Sequence, residues 1–369
     1  MSAGKKRVAV LMSGGVDSSV AAALLRREGH EVIGVTLQLW DYGSVAVRPG
    51  GQRGCCDISH QMDARYVCRQ LGIPHVVLDL REAFLRDVVE PYERTYLEGE
   101  TPNPCVLCNS RIKWGSVIAK ADALECDLIA TGHYARIESG NGRPLLLKGR
   151  DPAKDQSYAL WQVPLEALRR TLLPNGDYTK RDVRRLAGQL DLRTARKAES
   201  QEVCFIPARY DDYLREKYPG EVDTLGEGAI VDGEGRELGR HTGFFSFTIG
   251  QRKGLNIRDG RGPYYVTELR PETNQVVVGR GEELKRPGLL ARGVNWVSLD
   301  PPEEPRPCRV KIRYNDPGVP AVIDPPAPDG SIAVRFESPQ RAVTPGQSAV
   351  WYHGDTVWGG GIISRALKG

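Results

Sequence analysis

Arg7-Val8-Ala9-Val10-Leu11-Met12-Ser13-Gly14-Gly15-Val16-Asp17-Ser18-Ser19 joins an apolar run to a glycine turn and then to the first turn of a helix. Arg7 to Met12 reads as a buried strand, and Ser18 to Arg27 repeats with helical periodicity until Gly29 closes it. A loop in this position can cradle phosphate. Two glycines let the backbone turn tightly and approach an anion closely. The helix that follows presents unpaired N–H groups and the positive end of its dipole. Ser13, Ser18 and Ser19 add hydroxyls, and Asp17 offers an oxygen ligand of the kind Mg²⁺ prefers. The stretch has neither the G-x-x-x-x-G-K-[ST] loop with its phosphate-reaching lysine nor the G-x-G-x-x-G dinucleotide fingerprint. The plain alternative is an ordinary glycine turn capped by Ser or Asp.

Outward from this loop, strand and helix patterns alternate. Glu31 to Trp40, His75 to Leu80 and Asp127 to Thr131 read as strands. Asp57 to Leu71, Glu82 to Leu97, Cys108 to Leu124, Ser157 to Leu173 and Thr179 to Leu190 read as helices. Ala135 to Ser139 and Pro144 to Lys148 flank a turn and predict a hairpin. The alternation predicts an α/β domain with a parallel sheet covered on both faces. After position 200 the texture changes. Most of the 25 prolines lie there, and short apolar stretches such as Ala229–Val231, Gln275–Gly279 and Ile332–Phe336 are separated by Gly, Asp and Pro. This is an all-β signature. We place boundaries near residues 208 and 283, and expect residues 1–208 to form the α/β nucleotide-binding domain. The β-rich remainder, a small central domain over 209–283 and a C-terminal stretch over 284–369, is expected to form a small β-barrel or two small β domains.

With 369 residues and 40% hydrophobic content, the chain can build full cores, which excludes global disorder. It has no apolar run of about 18 residues and no signal-peptide core, so we expect a cytoplasmic protein with no membrane partner. The formal net charge of +4 permits a polyanionic partner. Seven of the eight cysteines lie between Cys55 and Cys204. In a reducing compartment such clustering indicates thiol or metal chemistry rather than a secreted disulfide framework. Cys68 and Cys126 read as small buried residues, and Cys55-Cys56 belongs to a Gly-rich insertion. Cys105 and Cys108 form a C-x-x-C at a predicted helix start, where thiolate is favoured, with Arg111 and Lys113 adding positive potential.

The loop resembles that of the adenine-nucleotide α-hydrolase-like (PP-loop ATPase) superfamily. The chain as a whole is similar to the tRNA-specific 2-thiouridylases within it. The match runs through Thr101-Pro102-Asn103-Pro104-Cys105-Val106-Leu107-Cys108-Asn109, Thr131-Gly132-His133-Tyr134, Lys154-Asp155-Gln156-Ser157-Tyr158, Cys204-Phe205-Ile206, Gly250-Gln251-Arg252-Lys253-Gly254 and Thr344-Pro345-Gly346-Gln347-Ser348-Ala349. The resemblance implies three parts: a catalytic N-terminal domain, a small central domain and a C-terminal β-barrel. It also implies ATP with Mg²⁺ as cofactor, cleaved between its α and β phosphates. It assigns the nucleotide to Val10, Leu11, Met12, Ser13, Gly14, Gly15, Val16, Asp17, Ser18, Leu37 and Gly132, with Asp17 as a magnesium ligand. Such positions suit an α/β protein, whose ligands collect at the carboxyl ends of parallel strands.

For the thiols, the resemblance implies that Cys204 carries a persulfide and that Cys108 is the nucleophilic or resolving cysteine, with a Cys108–Cys204 disulfide as a turnover state. Cys105 stands where well-known members have an aspartate. Cys105, Cys108 and Cys204 together would also suit a [4Fe–4S] cluster with one open iron, or zinc. The resemblance implies uridine 2-thiolation at the wobble position of tRNA, with the Lys, Glu and Gln isoacceptors as substrates and a cysteine desulfurase or sulfur-relay protein as donor. It assigns tRNA contacts to Asn103, Pro104, Cys105, His133, Lys154, Asp155, Gln156, Arg313, Tyr314 and Gln347.

Residue patterns add two basic features. Arg309, Lys311 and Arg313 alternate with Val310 and Ile312, as on a strand with one charged face. Tyr178, Lys180, Arg181, Arg184 and Arg185, with Arg193, Arg196 and Lys197 beyond them, form a second candidate phosphate patch. Two other functions compete. A different PP-loop adenylating or amidating enzyme accounts for the loop but not for the thiols or the basic tail. A non-catalytic RNA-binding protein accounts for the tail but not for the loop.

Overall fold

The structure, a computed structural model, describes residues 4–40, 58–140, 142–198, 204–206, 210–257 and 259–368. Chain contacts divide it into two compact units. One comprises residues 1–89, 104–207 and 353–358, and the other residues 90–103, 208–352 and 359–369. Among the described residues no helix is long and apolar enough to cross a membrane.

The first unit is built on a five-stranded parallel sheet. It contains β1 (Arg7–Leu11), β2 (Glu31–Gln38), β3 (His75–Asp79), β4 (Leu128–Ala130) and β7 (Thr171–Leu172), in the order β3-β2-β1-β4-β7. β5 (Ala135–Ser139) and β6 (Pro144–Lys148) form the antiparallel hairpin that the turn between them predicted. The run from β1 through β2 to β3 goes one way across the sheet, and β4 then lies on the other side of β1. This reversal puts a crevice at the carboxyl ends of β1 and β4, where open α/β sheets bind ligands.

Apolar residues of β1 pack against α1 (Val16–Arg27), α2 (Ile58–Leu71) and α8 (Lys180–Gln189) through a core that includes Val8, Val10, Val20, Val67, Val183 and Ala187. α8 starts at a capping box, in which Thr179 and Asp182 satisfy each other's backbone N–H groups. Cys68 is fully buried in this core, and burial pushes its thiol up to about 12. Cys126 is buried as well, with its thiol also raised by burial.

Several predicted helices are more broken than their periodicity suggested. Glu82 to Leu97 divides into α3 (Arg81–Phe84), a π-helical segment Leu85–Val89 and α4 (Glu90–Leu97). The C-x-x-C helix starts earlier, at α5 (Pro104–Leu107). It widens into a second π segment, Cys108–Ser116, before α6 (Val117–Ala123). The two π segments pack on each other. Such segments are rare and recur at functional sites, because the wider turn shifts side chains off the usual repeat. Ser157 to Leu173 is not one helix. Pro164 lacks an N–H and restarts the chain as α7 (Leu165–Arg169), after which Thr171 and Leu172 join the sheet beside β4.

The second unit opens with α4, then α9 (Tyr210–Lys217) and α10 (Pro219–Leu225). These last two helices lie where only β structure was expected. A four-stranded sheet follows, with β8 (Gly228–Val231), β9 (Glu237–His241), β10 (Tyr265–Arg270) and β11 (Gln275–Gly279) in the order β10-β11-β8-β9. The C-terminal strands are β12 (Lys285–Trp296), β13 (Arg306–Lys311), β14 (Val319–Ile323), β15 (Ile332–Arg341), β16 (Ser348–His353) and β17 (Thr356–Leu367). They run β12-β15-β14-β13-β16-β17, and β12 pairs again with β17 to close the barrel. Closure removes exposed edges. At the closing seam a Cβ on Gly359 would lie 2.4 Å from Asn295 O, so only glycine allows the strands this approach.

Within this unit Glu93 of α4 is wholly buried. Its carboxylate accepts hydrogen bonds from Tyr213, from Lys217 Nζ (2.7 and 2.8 Å) and from Tyr218 (2.6 Å). Burial, and then the hydrogen bond to Glu93, raise both tyrosine hydroxyls far above their ordinary range. Removing the carboxylate leaves two phenols and an ammonium without their acceptor. Glu93→Ala is therefore expected to destabilise the protein by about 3 kcal/mol, measured as a fall in urea midpoint. An unchanged midpoint would show that the network contributes nothing net.

Candidate active site

The Ser13–Ser19 loop lies at the carboxyl end of β1 and is fixed by its own side chains. Ser13 N donates to Ser18 Oγ (3.2 Å), while the Ser18 and Ser19 hydroxyls donate to Gly15 O (3.2 and 2.8 Å). Gly14 has φ +70°, and a Cβ on it would stand 2.1 Å from His60 O of α2. Glycine is required there both by the backbone conformation and by the neighbouring helix. From the next strand, Thr36 Oγ1 donates to Met12 O (2.9 Å).

Asp17 does not project as a vacant carboxylate. Lys180 Nζ donates to both of its oxygens at 2.8 Å, and the Tyr134 hydroxyl donates to Oδ1 at 2.6 Å. Asn175 Nδ2 donates to the Asp17 carbonyl (3.0 Å) and to the Gly132 carbonyl (3.1 Å). The loop is thus tied to α8, to the turn after β4 and to the segment before α8. Lys180 was expected in a basic surface patch. It is instead nearly buried under the loop, because an adjacent carboxylate offsets its desolvation. Other members of that patch are also paired within the protein. Lys197 bonds Asp63 and the Gly14 carbonyl, Arg193 bonds Asp63, and Arg184 bonds the carbonyls of Ala195 and Lys197.

A pocket opens between the loop and the ends of β2 and β4. Its walls include Leu11, Met12, Ser13, Asp17, Ser18, Leu37, Gly132, Lys113, His133 and Gln156. It therefore gathers most of the residues assigned to the nucleotide from sequence. A Cβ on Gly132 would lie 2.7 Å from the Asp17 carbonyl carbon and from Ser18 N, which explains glycine at this position.

His133 and Gln156, assigned to tRNA, line the same pocket. Gln156 Oε1 accepts from Tyr134 N (3.0 Å). His133 Nδ1 pairs with Thr131 Oγ1 (2.7 Å), and its Nε2 lies 3.5 Å from Lys113 Nζ. Burial, reinforced by the Lys113 charge, holds the imidazole well below its usual 6.5, so it is neutral at physiological pH. Lys113 Nζ also donates to Asn109 Oδ1 (2.9 Å), and Asn109 Nδ2 anchors to the Ala159 carbonyl (2.9 Å). Lys113 therefore points at the pocket, and its expected role as a charge beside the C-x-x-C is not what its contacts favour.

Cys105 is exposed, and Cys108 and Cys204 are half-buried. Cys108 opens the second π segment. Beside Cys204, Phe205 is buried and packs edge-on against Phe84 with ring centroids 5.6 Å apart, and against Trp40 at 6.1 Å. Phe84 ends α3, which itself packs on the Cys108–Ser116 segment. The chain carrying Cys204 thus docks onto the helical layer that holds the C-x-x-C pair. Among the described residues no three His, Cys, Asp or Glu side chains stand together so as to hold a metal ion. The arrangement of Cys105, Cys108 and Cys204 does not fit a cluster ligand set, nor does Asp17, engaged by Lys180 and Tyr134, fit a magnesium site of its own. Cys55 and Cys56 lie outside the described residues.

The remaining predicted tRNA contacts are dispersed. Asp155 is buried and accepts from Gly149 N, Ser157 N and Ser157 Oγ, while Lys154 is half-buried. In the second unit Gln347 Nε2 donates to the carbonyls of Thr101 (2.8 Å) and Pro102 (3.3 Å), immediately before Asn103. Thr101 N donates to Pro345 O, and Arg292 grips Glu100 with two bonds of 2.9 and 2.8 Å. The barrel therefore clamps the strand of chain that leads to Asn103. Arg309 and Arg313 are exposed as the alternation predicted, although β13 ends at Lys311 and Arg313 sits in the turn after it. Tyr314 is an exposed aromatic beside it.

Strand order, glycine loop and pocket define an α/β domain with a ligand crevice at its strand ends, followed by two β-rich domains. Residues 6–208 match the family described as tRNA methyl transferase HUP domain, 215–280 the tRNA methyl transferase PRC-barrel domain and 286–363 the aminomethyltransferase beta-barrel domain. The expected architecture of α/β domain, central domain and closed barrel is borne out. The chain is 50% identical over 364 residues to the tRNA-specific 2-thiouridylase MnmA of Moorella thermoacetica, covering 97% of this chain and 99% of that protein. It is 47% identical over 367 residues to the protein of the same name from Carboxydothermus hydrogenoformans, covering 99% of each. The chain belongs to the tRNA-specific 2-thiouridylase family.

The neutral, half-buried His133 makes the fold acid-sensitive. Its folded pKa is depressed, so below about 6.5 the unfolded chain binds a proton that the native chain refuses. Stability is complete above that pH and falls as pH drops towards the folded pKa, by up to roughly 1.4 kcal/mol for each pH unit. His133→Asn is expected to flatten this slope between pH 6.5 and 5. Urea unfolding followed by tryptophan fluorescence can read it, since Trp114 lies 5.5 Å from the imidazole. Equal slopes in both proteins would contradict the assignment.

Proposed function

We propose that this protein catalyses ATP-dependent 2-thiolation of the wobble uridine of tRNA. The observation that carries this reading is the pairing of a phosphate loop and pocket with a helical layer bearing Cys105 and Cys108, onto which the Cys204 segment docks. Membership of the 2-thiouridylase family supports it.

The C2 carbonyl oxygen of uracil is a poor leaving group, so it must first be activated. In the first step O2 attacks the α-phosphorus of ATP. The bond from that phosphorus to the bridging oxygen breaks, pyrophosphate leaves with the electron pair, and the N3 proton is released. The helix α1 N-terminus and the serine hydroxyls of the Ser13–Ser19 loop suit the triphosphate. The leaving oxygen is now part of a phosphoester. In the second step the terminal sulfur of a Cys204 persulfide attacks C2, and AMP departs carrying the former O2. Cys108 thiolate then attacks the Cys204 sulfur, which releases the 2-thiouridine and leaves a Cys108–Cys204 disulfide. An external dithiol supplies the two electrons that restore both thiols. No step needs an iron–sulfur centre, and magnesium would arrive on the phosphate oxygens of ATP.

On the substrate side, a uracil stacked in an anticodon loop must swing out before C2 can be reached. We assign the lining of the extruded base to Asn103, Pro104 and Cys105, with phosphate contacts from Arg313 and its neighbours. The expected substrates are the Lys, Glu and Gln isoacceptors, and the expected donor is a cysteine desulfurase or a sulfur-relay protein.

The two half-reactions are separable. Cys204→Ser, given ATP, a sulfur donor and unmodified tRNA, is expected to release pyrophosphate and leave the uridine adenylated, while thiolated nucleoside falls to background in the digested tRNA. Thiolated product at the wild-type level from the variant would remove Cys204 from the mechanism.

A further inference from the structure

Lys113 is the one lysine or arginine among the described residues that line the nucleotide pocket. Its ammonium has two neighbours, Asn109 Oδ1 at 2.9 Å and the neutral His133 Nε2 at 3.5 Å. No described carboxylate lies within ion-pair distance of it. The contrast with the rest of the site is clear. Lys180 is matched by Asp17, and Lys197 by Asp63. A half-buried cation kept without a counter-charge is costly unless its partner arrives with the ligand. The surrounding groups keep it aimed rather than neutralise it. Asn109 is itself buried and fixed by the Ala159 carbonyl, and His133 is fixed by Thr131. Both supports come from elements that end at the pocket: the Cys108–Ser116 π segment and the turn after β4. His133 follows Gly132, which abuts Asp17 and Ser18 of the phosphate loop.

We propose that Lys113 is a catalytic residue of adenylyl transfer, contacting the non-bridging oxygens of the ATP α-phosphate, with Asn109 and His133 as its positioning residues. This rests on the adenylation step proposed above. When uracil O2 attacks the α-phosphorus and pyrophosphate leaves, negative charge builds on those oxygens in the transition state. A fixed cation with no internal counter-charge stabilises that charge more than it stabilises the ground state. Lys113 neither gives up nor gains a proton in the step. The N3 proton goes to solvent, and the electron pair of the broken phosphoanhydride bond goes with pyrophosphate. The neutral state of His133 matters here, because an imidazolium 3.5 Å away would repel the ammonium from its place.

The test uses full-length protein and three variants, Lys113→Met, Lys113→Ala and Lys113→Arg. ATP affinity is measured by equilibrium binding without tRNA, and the chemical step by single-turnover AMP formation from protein loaded with the Cys204 persulfide and mixed with unmodified tRNA. Lys113→Met is expected to bind ATP within about threefold of wild type. Its AMP formation is expected to slow by on the order of a hundred- to a thousandfold, the usual effect of removing one transition-state charge contact. Retained ATP binding also reports that the pocket has folded. Lys113→Arg should recover part of the rate, and added ethylammonium should speed Lys113→Ala but not wild type. An unchanged AMP rate in Lys113→Met would overturn the proposal. So would a loss of ATP affinity as large as the loss of rate, which would make Lys113 a ground-state binding residue. If wild type itself forms no AMP on unmodified tRNA, the functional reading fails before any variant is compared, and the role of Lys113 fails with it.

Discussion

Asp17 joins three parts of the α/β unit. Its carboxylate takes both hydrogen bonds of the Lys180 ammonium from α8 and the hydroxyl of Tyr134 after β4, and its carbonyl takes the Asn175 amide. The loop it belongs to has almost no freedom left. Gly14 is pressed against His60 on one side, and Gly132 against Asp17 and Ser18 on the other. A phosphate loop works by offering N–H groups already pointed at an anion, so that little ordering remains when the ligand binds. Here that order comes from a partly buried ion pair and from two glycines that admit no side chain. The nucleotide pocket, the position of His133 and the aim of Lys113 all follow from the same closely packed junction at the carboxyl ends of β1 and β4.

The C-x-x-C pair stands on a different local device. Periodicity in the Cys108–Leu124 stretch predicts one regular helix, but the chain runs as a short α turn, a nine-residue π segment and then α6. The widened turn carries Cys108 at its start and sends Lys113, five positions on, to the nucleotide pocket. One segment thereby carries Cys108 and also lines the pocket through Lys113. In the second unit the barrel grips the chain just ahead of Asn103 through Gln347, Pro345 and Arg292. That grip fixes residues 100–102 against the barrel.

Much of the fold was legible because its signals are local. The strand–loop–helix around Ser13–Ser19, the parallel strands and the β5–β6 hairpin follow from periodicity and turn residues. Gln275–Gly279 emerges with its predicted ends. What was missed depends on tertiary context. β7 is two residues long and exists only because β4 offers an edge. β17 contains three glycines, which lower strand propensity, yet a Cβ on Gly359 or Gly361 would press on β12 where the barrel closes. α9 and α10 carry polar, proline-flanked sequence, and their anchor is Glu93, more than a hundred residues earlier in the chain. In the site, Ser13 follows from its place in the strand–loop–helix, whereas Leu37 and Gly132 come from the family resemblance and agree with the rule that ligands collect at strand ends. Lys180 was taken for a surface charge because nothing local marks it as the partner of a residue 163 positions away. His133, Gln156 and Lys113 were recognised as polar residues of interest, but only the fold reveals that they share a pocket with the loop.

At the centre of this account is one uracil oxygen, activated in the Ser13–Gly132 pocket and displaced by cysteine-borne sulfur. The most direct test follows that atom. Unmodified tRNA carrying a heavy oxygen isotope at C2 of the wobble uridine is turned over with ATP and a sulfur donor, and the products are weighed by mass spectrometry. The account predicts that the heavy oxygen appears in AMP as thiolated tRNA forms. Heavy oxygen released to water, or found in pyrophosphate, would contradict adenylation of O2.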